Sequence, residues 1–343
     1  MIATDEAGYG PKLGPLVVAA TLWRLPDAEV RPECFEPLRR AGPSRPESDA
    51  GESDTGESDT GDSVTGDSER DNASPIGVSL DDSKRVYKSG DGVGRLLATT
   101  TMLARWCGGP DIVDVDALLR RLAIDRRAYR DIPWLANNTA DPVPPPDHPP
   151  SHWTDAPIRL IDAAADVWPA DRFNRRIEDG GNKSDLLGDA TMGLVSKWVS
   201  NLDDDDDDSA VTIWCDRLGG RKRYAGLIQH HFEDSIVSVI EETRSSSRYR
   251  IEPVPKMSAP PCDIEFVVGG DTRVPVAASS IVAKTIRQLM MMRLNAFFQR
   301  QHTDETTLVP TQGYPVDADR YLRDIASIRT RLGIADRDLI RCR

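Results

Sequence analysis

The chain has 343 residues, with 43 Lys and Arg against 56 Asp and Glu, for a formal net charge of −13. No apolar run approaches the ~18 residues that a membrane span needs, and the N-terminus lacks the basic-then-apolar layout of a secretory signal, so no membrane partner is expected. The acidity is local: residues 44–72 hold ten acids and two bases, residues 203–208 are six consecutive aspartates, and the remainder carries +1. The charge total therefore does not exclude a polyanionic partner.

Taken in chain order, residues 16–22 (LVVAATL) form an apolar run that predicts a strand. Residues 41–77 contain GESDT GESDT GDSVT GDSER, a degenerate repeat of Gly, Ser, Thr and acid. It holds too little apolar surface to offset the entropy of ordering, and is expected to be disordered. Residues 93–106 place Val93, Leu96, Leu97, Thr100, Leu103 and Trp106 at helical spacing. Residues 137–157 include DPVPPPDHPP, where proline forbids helix and disfavours a central strand. Helical spacing returns over 185–202, and 210–215 (AVTIWC) reads as a short strand ending at Asp216. The aspartate run 203–208 is expected to be a self-repelling, solvated loop, with calcium binding as the weaker alternative. Residues 236–240, 249–254 and 264–268 are further strand candidates, and a long amphipathic helix is expected from Val276 onward.

The result is an α/β fold: a mixed central sheet flanked by helices, interrupted by insertions. The expected segments are a first part of the domain over 1–40, an acidic insert over 41–77, a continuation over 78–136, a Pro-rich insert over 137–157, and the remaining part over 158–335 with the Asp-rich loop inside it.

The five cysteines are odd in number, widely spaced and without a C-x-x-C pair. That excludes a disulfide scaffold and fits a reducing cytoplasm. The five histidines offer no H-E-x-x-H spacing, which argues against a histidine-based metal site. A carboxylate site remains open. Asp5 and Glu6 precede a glycine-rich turn, Asp216 ends an apolar strand, and Asp271 follows EFVVGG. Three acidic positions at strand ends suit a hard cation with oxygen ligands, which would also relieve their repulsion. Adjacent strand residues point to opposite faces, so Asp5 and Glu6 can share a site only at a bend or strand end, which Gly8 is placed to supply. The segment GYGPKLG is not a dinucleotide-binding loop, because it has one residue too many and precedes a strand.

In this light DEAGYGPKLGPLVVAA resembles the opening signature of the prokaryotic type 2 ribonucleases H, the HII and HIII enzymes. Five further stretches agree in order. LDDSK, from Leu80, is similar to the DSK segment. FNRRIEDGGNKSDLL, from Phe173, resembles the N-x-N region of the HIII branch. IWCDRLGGRKRY, from Ile213, is like the strand that delivers the third acid. GGDTRVPVAASSIVAKTIR, from Gly269, resembles the D-x-x-x-P-x-x-A-A-S-I-x-A-K helix entrance, and QGYP, ending at Pro315, resembles the K-G-Y-x-T turn. The likeness covers about 1–25, 78–106, 158–200 and 210–330.

The resemblance implies an RNase H-like fold and endonucleolytic hydrolysis of the RNA strand in RNA/DNA hybrids, with the HII branch favoured. Asp5, Glu6, Asp216 and Asp271 would hold two Mg²⁺ or Mn²⁺ ions about 4 Å apart. Backbone groups of Gly8, Tyr9 and Gly10 would meet a sugar 2′-hydroxyl, the group that separates RNA from DNA. Ser83 and Lys84 would meet phosphate, as would Ser280 and Lys284 in the first turns of the last core helix, where free N–H groups favour an anion. Tyr314 would stack on the sugar beyond the scissile bond. Arg221, Lys222 and Arg223 form a basic patch suited to a duplex backbone. The partner implied is the hybrid duplex, bound by a cytoplasmic monomer. The sequence departs from the signature at Tyr9, where Arg or Thr is usual, and only four residues precede Asp5, so the first strand is expected to be very short. A non-catalytic hybrid-binding module and another metal-dependent nuclease on the same fold are the alternatives.

Overall fold

The computed structural model describes residues 1–26, 30–39, 78, 80–88, 92–108, 112–136, 141–143, 149–202, 211–254, 260–303 and 307–342. The acidic stretch 41–77 and the aspartate run 203–208 lie outside the described residues, as does part of the Pro-rich stretch 137–157.

The strands are β1 (Ile2–Ala7), β2 (Leu16–Arg24), β3 (Arg159–Trp168), β4 (Val211–Asp216), β5 (Ser235–Glu242), β6 (Ser246–Pro253) and β7 (Cys262–Val267). The helices are α1 (Ser83–Lys88), α2 (Gly92–Trp106), α3 (Val115–Arg121), α4 (Pro133–Ala136), α5 (Ser151–Thr154), α6 (Ala170–Glu178), α7 (Lys183–Val199), α8 (Ala225–His231), α9 (Val274–Gln301), α10 (Pro315–Asp324), α11 (Ala326–Leu332) and α12 (Asp336–Leu339). The strands form one mixed sheet in the order β3-β2-β1-β4-β7-β6-β5. The mixed sheet flanked by helices agrees with the fold class read from the sequence.

Chain connectivity explains the mixture of directions. A short loop returns β1 into β2, and only an antiparallel pairing allows that. The parallel pairs β1–β4 and β4–β7 need crossovers, and the chain reaches β4 from β3 through α6 and α7. Side chains alternate across β2. Val17, Ala19 and Trp23 join Ala3 and Trp214 in a core capped by α2 and α9. Leu16 and Val18 join Ile2, Ile213 and Cys215 under α6, α7 and α8. Both faces of the central strands are covered, which is why 16–22 reads as a continuous apolar run.

Four features differ from the sequence reading. β3 has no apolar run, because Asp162 and Asp166 interrupt its alanines; it is an edge strand whose register with β2 is set by Ala163, Ala165 and Val167. α9 begins at Val274, two residues before the expected start, and is buried all round through Ala283 rather than along one stripe. It runs through the middle of its layer, and small hydroxyl residues make that close packing possible. Ser279 Oγ donates to Ala3 O at 3.0 Å and Thr100 Oγ1 lies 2.7 Å from Thr285 Oγ1. At the end of the Pro-rich stretch, α5 buries Trp153 completely, with its indole N–H donating to Leu38 O at 3.0 Å. That end of the stretch is therefore core. The first strand, expected to be very short, spans six residues, and all six pair with β2.

Candidate active site

Parallel strands bring their carboxyl ends to one edge of a sheet, where ligand sites of α/β proteins tend to form. Here β1 and β4 run side by side with Thr4 opposite Cys215, so Asp5 and Asp216 follow on neighbouring strands at the same level. One carboxylate oxygen each from Asp5, Glu6 and Asp216 lies within 4.8 Å of the others. Asp271 arrives on a short 3-10 turn after β7, Gly270–Thr272, which the left-handed Gly269 opens. Asp271 stands outside that tightest trio, but close enough to Asp216 to repel its charge. The strand end solves the problem of adjacent residues: Glu6 N–H donates to Asp5 Oδ1 at 2.8 Å, and Gly8 turns the chain away at φ +89°.

Burial and mutual repulsion set the protonation of this cluster. Asp5 is pushed up to about 7, first by burial and then by the Asp216 charge, against a hydrogen bond from Ser280. Glu6 is pushed well above the usual carboxylate range by burial, Asp5 and Asp216. Asp216 is raised by burial, partly offset because it accepts N–H bonds from Gly270 and Arg217. Glu6 Oε2 is buried and accepts no hydrogen bond. Three converging carboxylates, one with an orphaned oxygen, make an all-oxygen donor set that fits a hard divalent cation such as Mg²⁺ or Mn²⁺.

The remaining candidates separate into inner and outer groups. Ser83 is fully buried and Ser280 is 2% exposed; their hydroxyls lie 2.9 Å apart. Lys284 Nζ donates to Ser83 Oγ, and Ser280 hydrogen-bonds Asp5. Because α9 starts at Val274, Ser280 lies beyond its first turn and Lys284 deeper still, so neither meets the free N–H groups of the helix start. These three form an internal strut behind Asp5. Lys84, in contrast, is exposed and reaches forward, with Nζ 3.6 Å from Asp271 Oδ2. Arg221 is held by Asp185 at 2.6 Å, whereas Lys222 and Arg223 are exposed.

Gly8 must be glycine for two reasons: its φ is positive, and a Cβ there would sit 2.5 Å from Pro15 O and 2.7 Å from Arg287 Nε. A Cβ at Gly10 would meet nothing within 4 Å, so that edge of the turn is open. Tyr9 lays its ring against Gly219, where a Cβ would lie 3.1 Å from the ring, and burial with the Glu6 charge raises its phenol. Tyr314 is 57% exposed at the start of α10, with the Arg287 guanidinium carbon 5.9 Å from its ring centroid.

Sequence reasoning missed Arg287 and Arg341. Arg287 Nη2 donates to Gln312 O at 2.7 Å while its Nε side packs under Gly8, so it joins the Gly8 turn to the Tyr314 loop. The same two loops meet where Lys12 and Leu13 N–H groups donate to Gly313 O. Arg341 donates to Pro11 O, and burial, together with Arg287, pushes it down to about 9. For Arg287 the available signal was an arginine among the apolar residues of a buried helix, an arrangement that demands a partner.

No family model matches the chain, and no curated protein matches it. Among solved structures it is similar to ribonuclease H2 of Pyrococcus horikoshii OT3, at 14% identity and a TM-score of 0.43 over 99% of this chain and 92% of that one. It is also similar to RNase HII of Archaeoglobus fulgidus, solved with PCNA, at 12% identity and a TM-score of 0.42 over 100% and 93%. A third likeness is to Bst-RNase HIII with Mn²⁺, at 12% identity and a TM-score of 0.37 over 99% of this chain and 65% of that one. The chain is thus similar to type 2 ribonucleases H of both branches.

Proposed function

We propose that the protein is a divalent-metal-dependent endonuclease that hydrolyses the RNA strand of RNA/DNA hybrids. The observation that carries this reading is the convergence of Asp5, Glu6 and Asp216 at the ends of two parallel strands, in the order that the sequence motifs imply, with Glu6 Oε2 buried and unsatisfied. Asp5, Glu6, Asp216 and Asp271 would hold the ions, Mg²⁺ or Mn²⁺. When bound, such ions activate a water and stabilise the leaving 3′-oxygen. The chain's own residues supply the rest. The Ser83–Ser280–Lys284 strut fixes Asp5 from behind, Lys84 offers a cation at the rim, and the open backbone at Gly10 leaves room for a ribose to approach.

The exposed Tyr314 ring, tied through Arg287 to the Gly8 turn, supports the HII-like reading, in which the enzyme also incises next to a single ribonucleotide embedded in DNA. A flat aromatic surface packs well against a deoxyribose, which carries no 2′-hydroxyl. The test compares a continuous hybrid with a duplex holding one ribonucleotide, each with Mg²⁺ or Mn²⁺. Cleavage of the RNA strand to 5′-phosphate and 3′-hydroxyl ends, lost in Asp216→Asn, is the expected result; no metal-dependent cleavage of either substrate overturns the reading. Tyr314→Ala should lose more activity at the single ribonucleotide than on the hybrid. Equal losses, or an inert single-ribonucleotide substrate, would move the protein to the HIII-like side.

A further inference from the structure

Asp189 on α7 and the adjacent His230 and His231 at the end of α8 form a second group whose ligand atoms all lie within 4.8 Å of one another. None of the three belongs to the motifs shared with the ribonucleases. Two imidazoles and a carboxylate are a different donor set from the all-carboxylate cluster, and imidazole favours borderline transition metals over Mg²⁺.

The geometry around Asp189 divides its two oxygens. Oδ2 accepts from Arg176 Nη2 of α6 at 2.7 Å, which fixes the carboxylate plane and leaves Oδ1 turned to His231. An outer-sphere partner that orients a ligating carboxylate is a regular part of metal sites. Oδ1 lies 3.4 Å from His231 Nε2, long for a hydrogen bond between an imidazole and a carboxylate. It is close to the ~3.3 Å that separates two ligands of a tetrahedral Zn²⁺ with bonds of about 2.0–2.1 Å. The His230 and His231 rings stand edge to face, 5.2 Å between centroids, and His230 is exposed, so a metal could be reached from solvent and keep water in its open position.

We propose that Asp189, His230 and His231 bind a zinc-class divalent transition metal that staples α8 to α7, separately from the acidic cluster. One turn before Asp189, Asp185 holds Arg221 of the loop that follows Asp216, so the staple would brace the helix from which that loop is anchored.

The test uses the full chain, stripped with a chelator and then titrated with Co²⁺ in excess Mg²⁺, which occupies carboxylate sites. The expected result is one equivalent of Co²⁺ with the visible ligand-field absorption of imidazole coordination, displaced by Zn²⁺. It should vanish in His230→Ala/His231→Ala and persist in Asp216→Asn. Zn²⁺ should also raise the Tm of the wild type and not of the double variant. Should the double variant not fold, His230→Gln, at the exposed ligand, must weaken Co²⁺ binding about tenfold or more. No Co²⁺ absorption in the wild type, or absorption of equal strength in the histidine variants, would overturn the site and leave a half-buried contact between Asp189 and His231.

Discussion

Asp5, Glu6 and Asp216 concentrate negative charge at the ends of β1 and β4, while Arg287 and Arg341 concentrate positive charge beneath the loops beside them. The arginines are buried and the acids buried or half-buried, and both groups contain polar atoms without partners: Glu6 Oε2 in one, Arg287 Nε with Arg341 Nε and Nη1 in the other. They handle repulsion differently. Carboxylates can take up protons near neutral pH, and Asp5 is pushed up to about 7. A guanidinium keeps its proton, so each arginine spends donors on backbone carbonyls, Gln312 O and Pro11 O. A buried charge that can only be compensated by backbone fixes that backbone in place. The acidic group is thus suited to exchange a proton for a cation, and the basic group to hold loops.

Removing one acid should produce the largest effect. Asp216→Asn is expected to lower kcat on hybrids by roughly a thousandfold, about 4 kcal/mol of transition-state stabilisation, with the fold intact by circular dichroism. Turnover within a few fold of wild type would remove Asp216 from the chemistry. The same cluster makes stability depend on pH. The folded pKa of Asp5 lies above its unfolded value, so the folded protein holds the extra proton, and stability present below about pH 4 is lost as pH rises through about 7. In chelator, the wild type should therefore lose more Tm than Asp5→Asn between pH 5 and pH 8, by roughly 2 kcal/mol of differential stability. Mn²⁺ should abolish that difference. Parallel pH profiles for the two proteins would show that the cluster carries no such strain.

How much of this was legible in the sequence follows from the range of each interaction. β2 and β4 to β7 showed as apolar runs, because local alternation and burial leave a local trace. β3 did not, since its strand character comes from pairing with β2 and its own Asp162 and Asp166 break the pattern. The four acids were visible near strand ends, and parallel pairing of β1 with β4 brought Asp5 and Glu6 to Asp216, while Asp271 on the turn after β7 stands outside that trio. Ser280 and Lys284 were visible as chain neighbours of Asp271, but their depth depends on α9 starting at Val274. The histidine spacing argued against a histidine-based metal site, because Asp189 approaches His230 and His231 only through the packing of α7 on α8, which leaves no local spacing to read.

The basic group offers the next largest effect. Arg287→Met removes the link between the Gly8 turn and the Tyr314 loop without touching the carboxylates. If these two loops face the substrate as proposed, loosening them should raise KM for hybrids about tenfold and leave kcat nearly unchanged, since positioning rather than charge stabilisation is lost. Arg287→Lys should restore little, because a lysine cannot reach Gln312 O and pack under Gly8 with one planar group. A fall in kcat matching that of Asp216→Asn would place Arg287 among the catalytic groups and end the contrast drawn between the two clusters.

Charge that lies outside both groups should matter least. Residues 46–72 carry ten acids and one base, a larger negative total than the whole carboxylate cluster, with almost no apolar side chains. A segment of that composition acts on a polyanionic duplex only through long-range repulsion, which decays over about 10 Å at 0.1 M salt. Deleting it should leave Tm within about 2 °C, because a segment of that composition has little apolar surface to bury. Hybrid affinity should rise by no more than about threefold at low salt, and the gain should disappear at high salt. The expected contrast with Asp216→Asn is one of kind: a single carboxylate of the converging cluster should outweigh ten in a segment with almost no apolar side chains. A cooperative loss of folding on deletion would show instead that the acidic segment packs against the domain and that its composition conceals a structural part.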